Sequence, residues 1–211
     1  MKVKRFIFTI CFIGLIISVS AQSGRRGQIK ETTTVNGTID EWVYNDDFEY
    51  DGLYLRAENS KILVKFPPHL AQQARALGNR ISVNGVLGYN REGIQELKMT
   101  SMSGNGQVVY DQKPTPDYNY TQEPFINDRG RVAQIQINKR GDVVGYILDN
   151  NTILRIPPHI ARQLSQLVQV GSVIEYSGIE KALKKGHVRV FNYKIIRCQT
   201  ILINGTQYVV R

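Results

Sequence analysis

One unit occurs twice in this chain. Phe66-Pro67-Pro68-His69-Leu70-Ala71 returns as Ile156-Pro157-Pro158-His159-Ile160-Ala161. The surrounding anchors keep their order: Gly37 matches Gly130, Gly52 matches Gly145, Gly85 matches Gly178, and Asn105-Gly106 matches Asn204-Gly205. Only the intervals between them change. The fold must therefore be one that a short unit can build and then repeat, and each position can be read in two contexts.

The second copy shows the plan most clearly. Val132 to Ile137 alternates, with Ala133, Ile135 and Ile137 on one face, and Lys139-Arg140-Gly141-Asp142 turns the chain. Val143 to Leu148 and Thr152 to Ile156 read as the next two strands. Pro157-Pro158 then ends the ladder, because proline has no N–H to donate and suits the first turn of a helix. Ile160, Leu164, Leu167 and Val168 come next at helical spacing, and Gly171 closes the segment. Ser172–Tyr176 and Val188–Arg197 are the fourth and fifth strands. In the first copy the strands are Thr38–Tyr44, Tyr50–Arg56, Lys61–Phe66, Arg80–Leu87 and Ile94–Met102, with a helix over Leu70, Ala74 and Leu77. Each copy closes on an Asn-Gly hairpin turn and a short extra strand, Gln107–Tyr110 and Thr206–Val210.

Strand-strand-strand-helix-strand-strand is the order of the OB-fold, a five-stranded Greek-key barrel. The expected class is mainly β: two tandem OB-fold-like barrels, each with a short helix between strands three and four. The expected organisation is a signal peptide over 1–21, an extension over 22–36, a first repeat over 37–110, a Pro-rich linker over 111–127 and a second repeat over 128–211. The signal reading rests on Lys2, Lys4 and Arg5, an apolar run from Phe6 to Ile17, and small residues before a cut near Ala21. It places the mature chain in the periplasm or outside the cell. That leaves Cys198 as the one mature cysteine, read as a small apolar residue on a strand.

With the repeat, the glycines and the Asn-Gly turns in view, the chain resembles a group of exported bacterial proteins. These pair an OB-like barrel with a Pro-Pro-His segment after the third strand. The resemblance spans both copies. It implies the fold and an envelope setting, and brings no chemistry with it.

Charge separates the copies. Seven basic and nine acidic residues give the first, Gly37 to Tyr110, a net −2; thirteen basic and five acidic residues give the second, from Asp128, a net +8. Two readings are open: the second copy faces a polyanion, or it carries a solvated basic surface. Lys139, Arg140, Arg155, Arg189 and Lys194 could line one side of the second barrel, with His159 nearby as a further contact. An electrostatic site of that kind would lose affinity steeply with salt.

His69 and His159 have three open roles. Each could fix the strand-to-helix corner through a backbone hydrogen bond, touch a ligand, or bind a metal. No partner ligands stand at metal spacing, so neither a metal nor a cofactor is expected. Phe66, Pro67, Pro68 and His69, with Ile156, Pro157, Pro158 and His159, are read as structural. Trp42 and Tyr44 align with Ile135 and Ile137, which favours packing over base or sugar stacking. The acidic run Asp46-Asp47-Phe48-Glu49-Tyr50-Asp51 reads as a solvated hairpin tip and lacks the glycine and spacing of a calcium loop. No catalytic motif is visible, so the expected role is non-enzymatic. The leading expectation is a binding or interaction module of the cell envelope whose partner is an acidic glycan, nucleic acid or another envelope protein. The alternatives are an OB-fold nucleic-acid binder and a periplasmic metal binder using the two histidines.

Overall fold

The structure, a computed structural model, describes residues 31–58, 60–114, 123–138 and 140–210. The expected signal peptide, residues 1–21, lies outside them, as do 115–122 of the expected linker.

The first repeat contains β1 (Thr33–Tyr44), β2 (Tyr50–Ala57), β3 (Ser60–Lys65), a 3-10 turn (Pro68–Leu70), α1 (Ala71–Ala76), β4 (Arg80–Tyr89), β5 (Gln95–Gly104) and β6 (Gln107–Tyr110). The second contains β7 (Phe125–Ile137), β8 (Val143–Leu148), β9 (Thr152–Arg155), α2 (Pro158–Leu164), β10 (Val173–Glu180), β11 (Lys194–Ile203) and β12 (Thr206–Val209). The strand order is β3-β2-β1-β4-β5-β6 in one sheet, closed by β3–β5. In the other, β10-β7-β8-β9-β11-β12 is closed by β10–β11. Both are five-stranded rings with a sixth strand appended, so the duplicated barrel expected from the repeat is present. Among the described residues no helix is long and apolar enough to cross a membrane.

The proline pairs sit where the backbone leaves the sheet. Pro67 is extended (φ −63°, ψ 136°) and Pro68 opens the 3-10 turn. Pro157 is likewise extended (φ −57°, ψ 136°) and Pro158 opens α2. The short helix then buries Leu70, Ala71, Ala74 and Leu77 in the first core, and Ala161, Leu164 and Val168 in the second. Both β1 and β7 begin earlier than expected, so part of the expected extension and linker joins the barrels.

Two corrections concern strands. Strict alternation in the first strand of each repeat fails at bulges. Register shifts fall between Val132 and Gln134 and between Gln136 and Ile137 in β7, matching those between Ile39 and Glu41 and between Val43 and Tyr44 in β1. In the first shift of each pair the extra residue, Asp40 or Ala133, lies in the first strand and reverses the facing there; in the second it lies in the partner strand, at Asp51 or Val144. Val132 therefore enters the core while Ala133 is exposed. Trp42 and Ile135 still pack against their cores, but Tyr44 and Ile137 turn out to solvent. The second correction concerns β11, which starts at Lys194 and not at Val188. Val188 and its neighbours pair with the other repeat instead.

Cys198 is buried on β11, as expected. Burial pushes its thiol up to about 12, and the thiol donates to the Thr200 carbonyl.

Candidate functional site

Three loops in this molecule share one construction. Asn45, Asn90 and Asn138 each accept two backbone N–H groups with the side-chain oxygen. Asn45 takes those of Asp47 and Glu49, Asn90 those of Glu92 and Ile94, and Asn138 those of Arg140 and Asp142. The fourth loop residue is left-handed in all three: Phe48 at φ 56°, Gly93 at 76° and Gly141 at 83°. Glycine suits that conformation, whereas a bulky side chain is strained there by about 1 kcal/mol. Phe48 stands where the sister repeat has glycine, so something must offset the strain.

Docking against the second barrel offsets it. Phe48 packs on Ile147, Ile153 and Ile195, three side chains outside the main core of that barrel. Tyr44 stacks on Phe48 at 5.3 Å between ring centroids, while Tyr193 and Phe191 lie at 5.0 and 5.6 Å. Apolar burial by one ring on this cluster contributes about 2 kcal/mol, more than the backbone strain removes.

Charge surrounds the ring. Arg155 Nε donates to Asp47 Oδ1 at 2.7 Å, and Lys181 donates to the other carboxylate oxygen. Arg155 also donates to the Asp46 carbonyl, and Gln136 Nε2 reaches the same oxygen at 2.7 Å. Burial acts to raise the Asp47 pKa, but the hydrogen bonds from Lys181 and Arg155 prevail and hold it below the usual carboxylate value. Glu49 is buried; its carboxylate accepts from His187 Nδ1 at 2.8 Å and lies 3.7 and 3.6 Å from Lys181 and Arg189. Backbone bonds lock the register: Val190 N–H to the Phe48 carbonyl at 2.9 Å, Tyr50 N–H to the Val188 carbonyl at 3.0 Å, with a bridge between Glu49 and Arg189. The loop of the second repeat between β10 and β11 thus adds itself to the hairpin of the first.

The acidic run is therefore an internal plug and not a solvated tip. The charge asymmetry has a corresponding explanation: part of the basic surface of the second repeat meets carboxylates of the first. Of the residues expected to line a polyanion site, Arg155 and Arg189 are brought together but held by Asp47 and Glu49. Arg140 and Lys194 are exposed, His159 is exposed, and Lys139 lies outside the described residues. Lys181 and His187 were not singled out by sequence. The signal available for them was the extra length of the second repeat between strands four and five.

The histidines have diverged. His69 Nε2 lies 2.8 Å from the Gln112 carbonyl, at the start of the connection between repeats, and donates to it. Its own carbonyl abuts Gly186, whose oxygen accepts the Gln72 N–H at 3.0 Å. His69 thus ties the corner to the connection, whereas His159 has no such bond among the described residues. His69→Ala should cost about 1 kcal/mol and lower the melting temperature, while His159→Ala should change stability by less than about 0.5 kcal/mol. Thermal unfolding of both variants checks this, and equal effects would contradict it. Among the described residues, no group of three or more His, Cys, Asp and Glu side chains is arranged to hold a metal ion.

The equivalent face of the first barrel carries no such hairpin; Leu63 is buried there, Lys61 Nζ sits 4.4 Å over the Tyr54 ring, and a groove remains beside them. The pairings β2–β3 and β3–β5 place Tyr54 beside Leu63 and Leu63 beside Glu96. In the second barrel the same positions are Ile147 beside Ile153 and Ile153 beside Ile195. Lys65, opposite Gly52, takes the place of Arg155, opposite Gly145. Tyr54, Leu63, Lys65 and Glu96 line a groove of about 570 Å³, with the loops headed by Asn45 and Asn90 on one repeat and Asn138 and Arg140 of the other as a wall. Lys65 is already paired with Asp51 at 2.5 Å, and the second oxygen of Asp51, Oδ1, is buried without a hydrogen-bond partner.

No family model matches the chain, and no curated protein matches it significantly. Among solved structures it is similar to the tetrameric p202 HIN2 crystal structure, with 9% identity over 86% of this chain and 93% of that one, at a TM-score of 0.23. A likeness of that size carries no functional argument, and the site must be read from its own chemistry.

Proposed function

We propose that this chain is an exported, non-enzymatic binding module of the cell envelope whose ligand site is the open groove of the first repeat. The observation that carries this reading is the contrast between equivalent faces: one is filled by the chain's own Phe48 hairpin, the other is left as a groove. OB barrels use strands two and three with the adjoining loops for ligands, which is where both faces lie. The ligand site thus moves from the basic second repeat to the nearly neutral first. Asp46, Asp51, Glu92 and Glu96 line the groove with Lys65, Arg91 and Arg140, and Lys65 is already paired with Asp51. Such a lining disfavours a polyanion and suits a polar or cationic partner. The export part of the reading rests on the first twenty-one residues.

Nitrogen-15 NMR of the full chain tests the site. A single-stranded oligodeoxynucleotide, an acidic glycan, a neutral glycan and a basic peptide are titrated in turn. Saturable shifts should gather at Tyr54, Leu63, Lys65 and Glu96. The oligodeoxynucleotide and the acidic glycan should bind weakly and lose that binding with added salt. Shifts centred on Ile153, Ile195 and Phe48 would contradict the reading.

A further inference from the structure

The plugged face of the second barrel is built without help from the hairpin that fills it. Its floor, Ile147, Ile153 and Ile195, comes from β8, β9 and β11 and forms a cluster apart from the main core of that barrel. Its cations are positioned by their own repeat. Arg155 Nη1 donates to Gln136 Oε1 at 2.8 Å, and Arg189 donates to the carbonyls of Tyr193 and Lys181 at 3.2 Å. Donors oriented in advance lose little side-chain freedom when an acidic ligand enters.

The hairpin is equally self-contained. The Asn45 side chain holds the N–H groups of Asp47 and Glu49, and the Phe48 N–H donates to the Asn45 carbonyl at 2.9 Å. It meets the face as a separate ligand would: one ring on the apolar floor, with a carboxylate on either side of it in sequence. Docking leaves two costs in place. Phe48 is left-handed at φ 56°, and Arg189 Nε is buried with no hydrogen-bond partner. Both are relieved when the hairpin leaves, the first by relaxation of the turn and the second by water.

We infer that this face is a second recognition site, closed in the free chain by its own hairpin, whose partner in trans is an acidic peptide loop with an aromatic residue between two carboxylates. The observed occupant sets that chemistry. Asp47 is gripped by Arg155 and Lys181, and Glu49 by His187 with Lys181 and Arg189 near it. A polypeptide is selected over a nucleic acid by the backbone bonds, because the Val190 N–H donates to the Phe48 carbonyl and the Val188 carbonyl accepts the Tyr50 N–H. The hairpin acts as a tethered competitor, so a partner binds only by overcoming its high local concentration. The inference concerns the second barrel and does not depend on the groove of the first.

Titration of the full chain tests it, with a disulfide-closed peptide carrying residues Asn45–Tyr50 as the probe. Wild type is compared with the double variant Asp47→Ala/Phe48→Ala, whose own hairpin lacks its ring and one carboxylate. The variant should bind the peptide at least about tenfold more tightly than wild type, with methyl shifts at Ile153 and Ile195. In wild type, excess peptide should abolish the contacts of the chain's own Phe48 ring with those methyl groups. The same peptide with Phe48→Ala should bind neither protein. Equal affinity for the two proteins, no binding by the folded variant, or shifts gathered at Tyr54 and Leu63 overturns the inference. A wild-type chain that keeps its Phe48 contacts at every peptide concentration also overturns it, because the hairpin is then a permanent seal. A variant that takes a single-stranded oligodeoxynucleotide more tightly than the peptide assigns the face to nucleic acid and defeats the peptide reading. Circular dichroism checks the fold of the variant, and if that fold is lost the wild-type titration alone decides.

Discussion

Glu49→Ala should lower the unfolding free energy by about 3 kcal/mol, near the low end of what removing one partner of a buried charge group costs. Glu49 is buried between repeats and meets His187, Lys181 and Arg189 together. Deleting the carboxylate strands those groups in a desolvated interface. Glu49→Gln should cost less, since an amide oxygen still accepts from His187. Urea unfolding of the three proteins gives the comparison. Loss of the interface should also separate the unfolding of the repeats into two steps. A Glu49→Ala protein with wild-type stability and a single transition would place this residue outside the interface energetics.

Gly178→Ala and Gly85→Ala should each cost about 2–3 kcal/mol, as overpacked sites do. A methyl on Gly178 would stand 2.3 Å from the Arg197 carbonyl oxygen, and one on Gly85 2.2 Å from that of Lys98. Both glycines lie just past a bulge where strand four crosses strand five, between Ser177 and Gly178 and between Asn84 and Gly85. Neither obstacle is a flexible side-chain end; each is backbone in the neighbouring strand. The added carbon must push apart strands four and five of its barrel. Gly88, on β4 with nothing within 4 Å of its would-be methyl, is the control, and Gly88→Ala should change little. Thermal unfolding of the three variants tests the ranking, and equal melting temperatures would remove the steric account.

Barrel topology was legible because it depends on spacing. Proline pairs end a ladder wherever they occur, Asn-Gly makes a hairpin turn by its own dihedrals, and the repeated glycines mark close strand crossings. Each is a local cause, and the duplication let one copy check the other. Bulges were not legible: an extra residue in a strand leaves the composition unchanged, so Ala133 kept a core place in an alternating pattern that it does not obey. The interface was hidden for a different reason. Asp47 and Glu49 look solvated in sequence because their partners lie in the other repeat, more than a hundred residues away. One clue was present. Phe48 falls where the second copy has Gly141, in a turn whose fourth residue is left-handed, and an aromatic ring there implies a compensating contact. The same blindness assigned Arg155 and Arg189 to an external polyanion, because a cation's sign is visible in sequence and its partner is not.

Nuclear Overhauser contacts between the Phe48 ring and the methyl groups of Ile147, Ile153 and Ile195 measure the docking of one repeat into the other most directly. Strong contacts from that ring to this cluster are expected, together with one rotational correlation time shared by both repeats. A Phe48 ring that meets only residues of its own repeat, with the two barrels tumbling at separate rates, would contradict the docking.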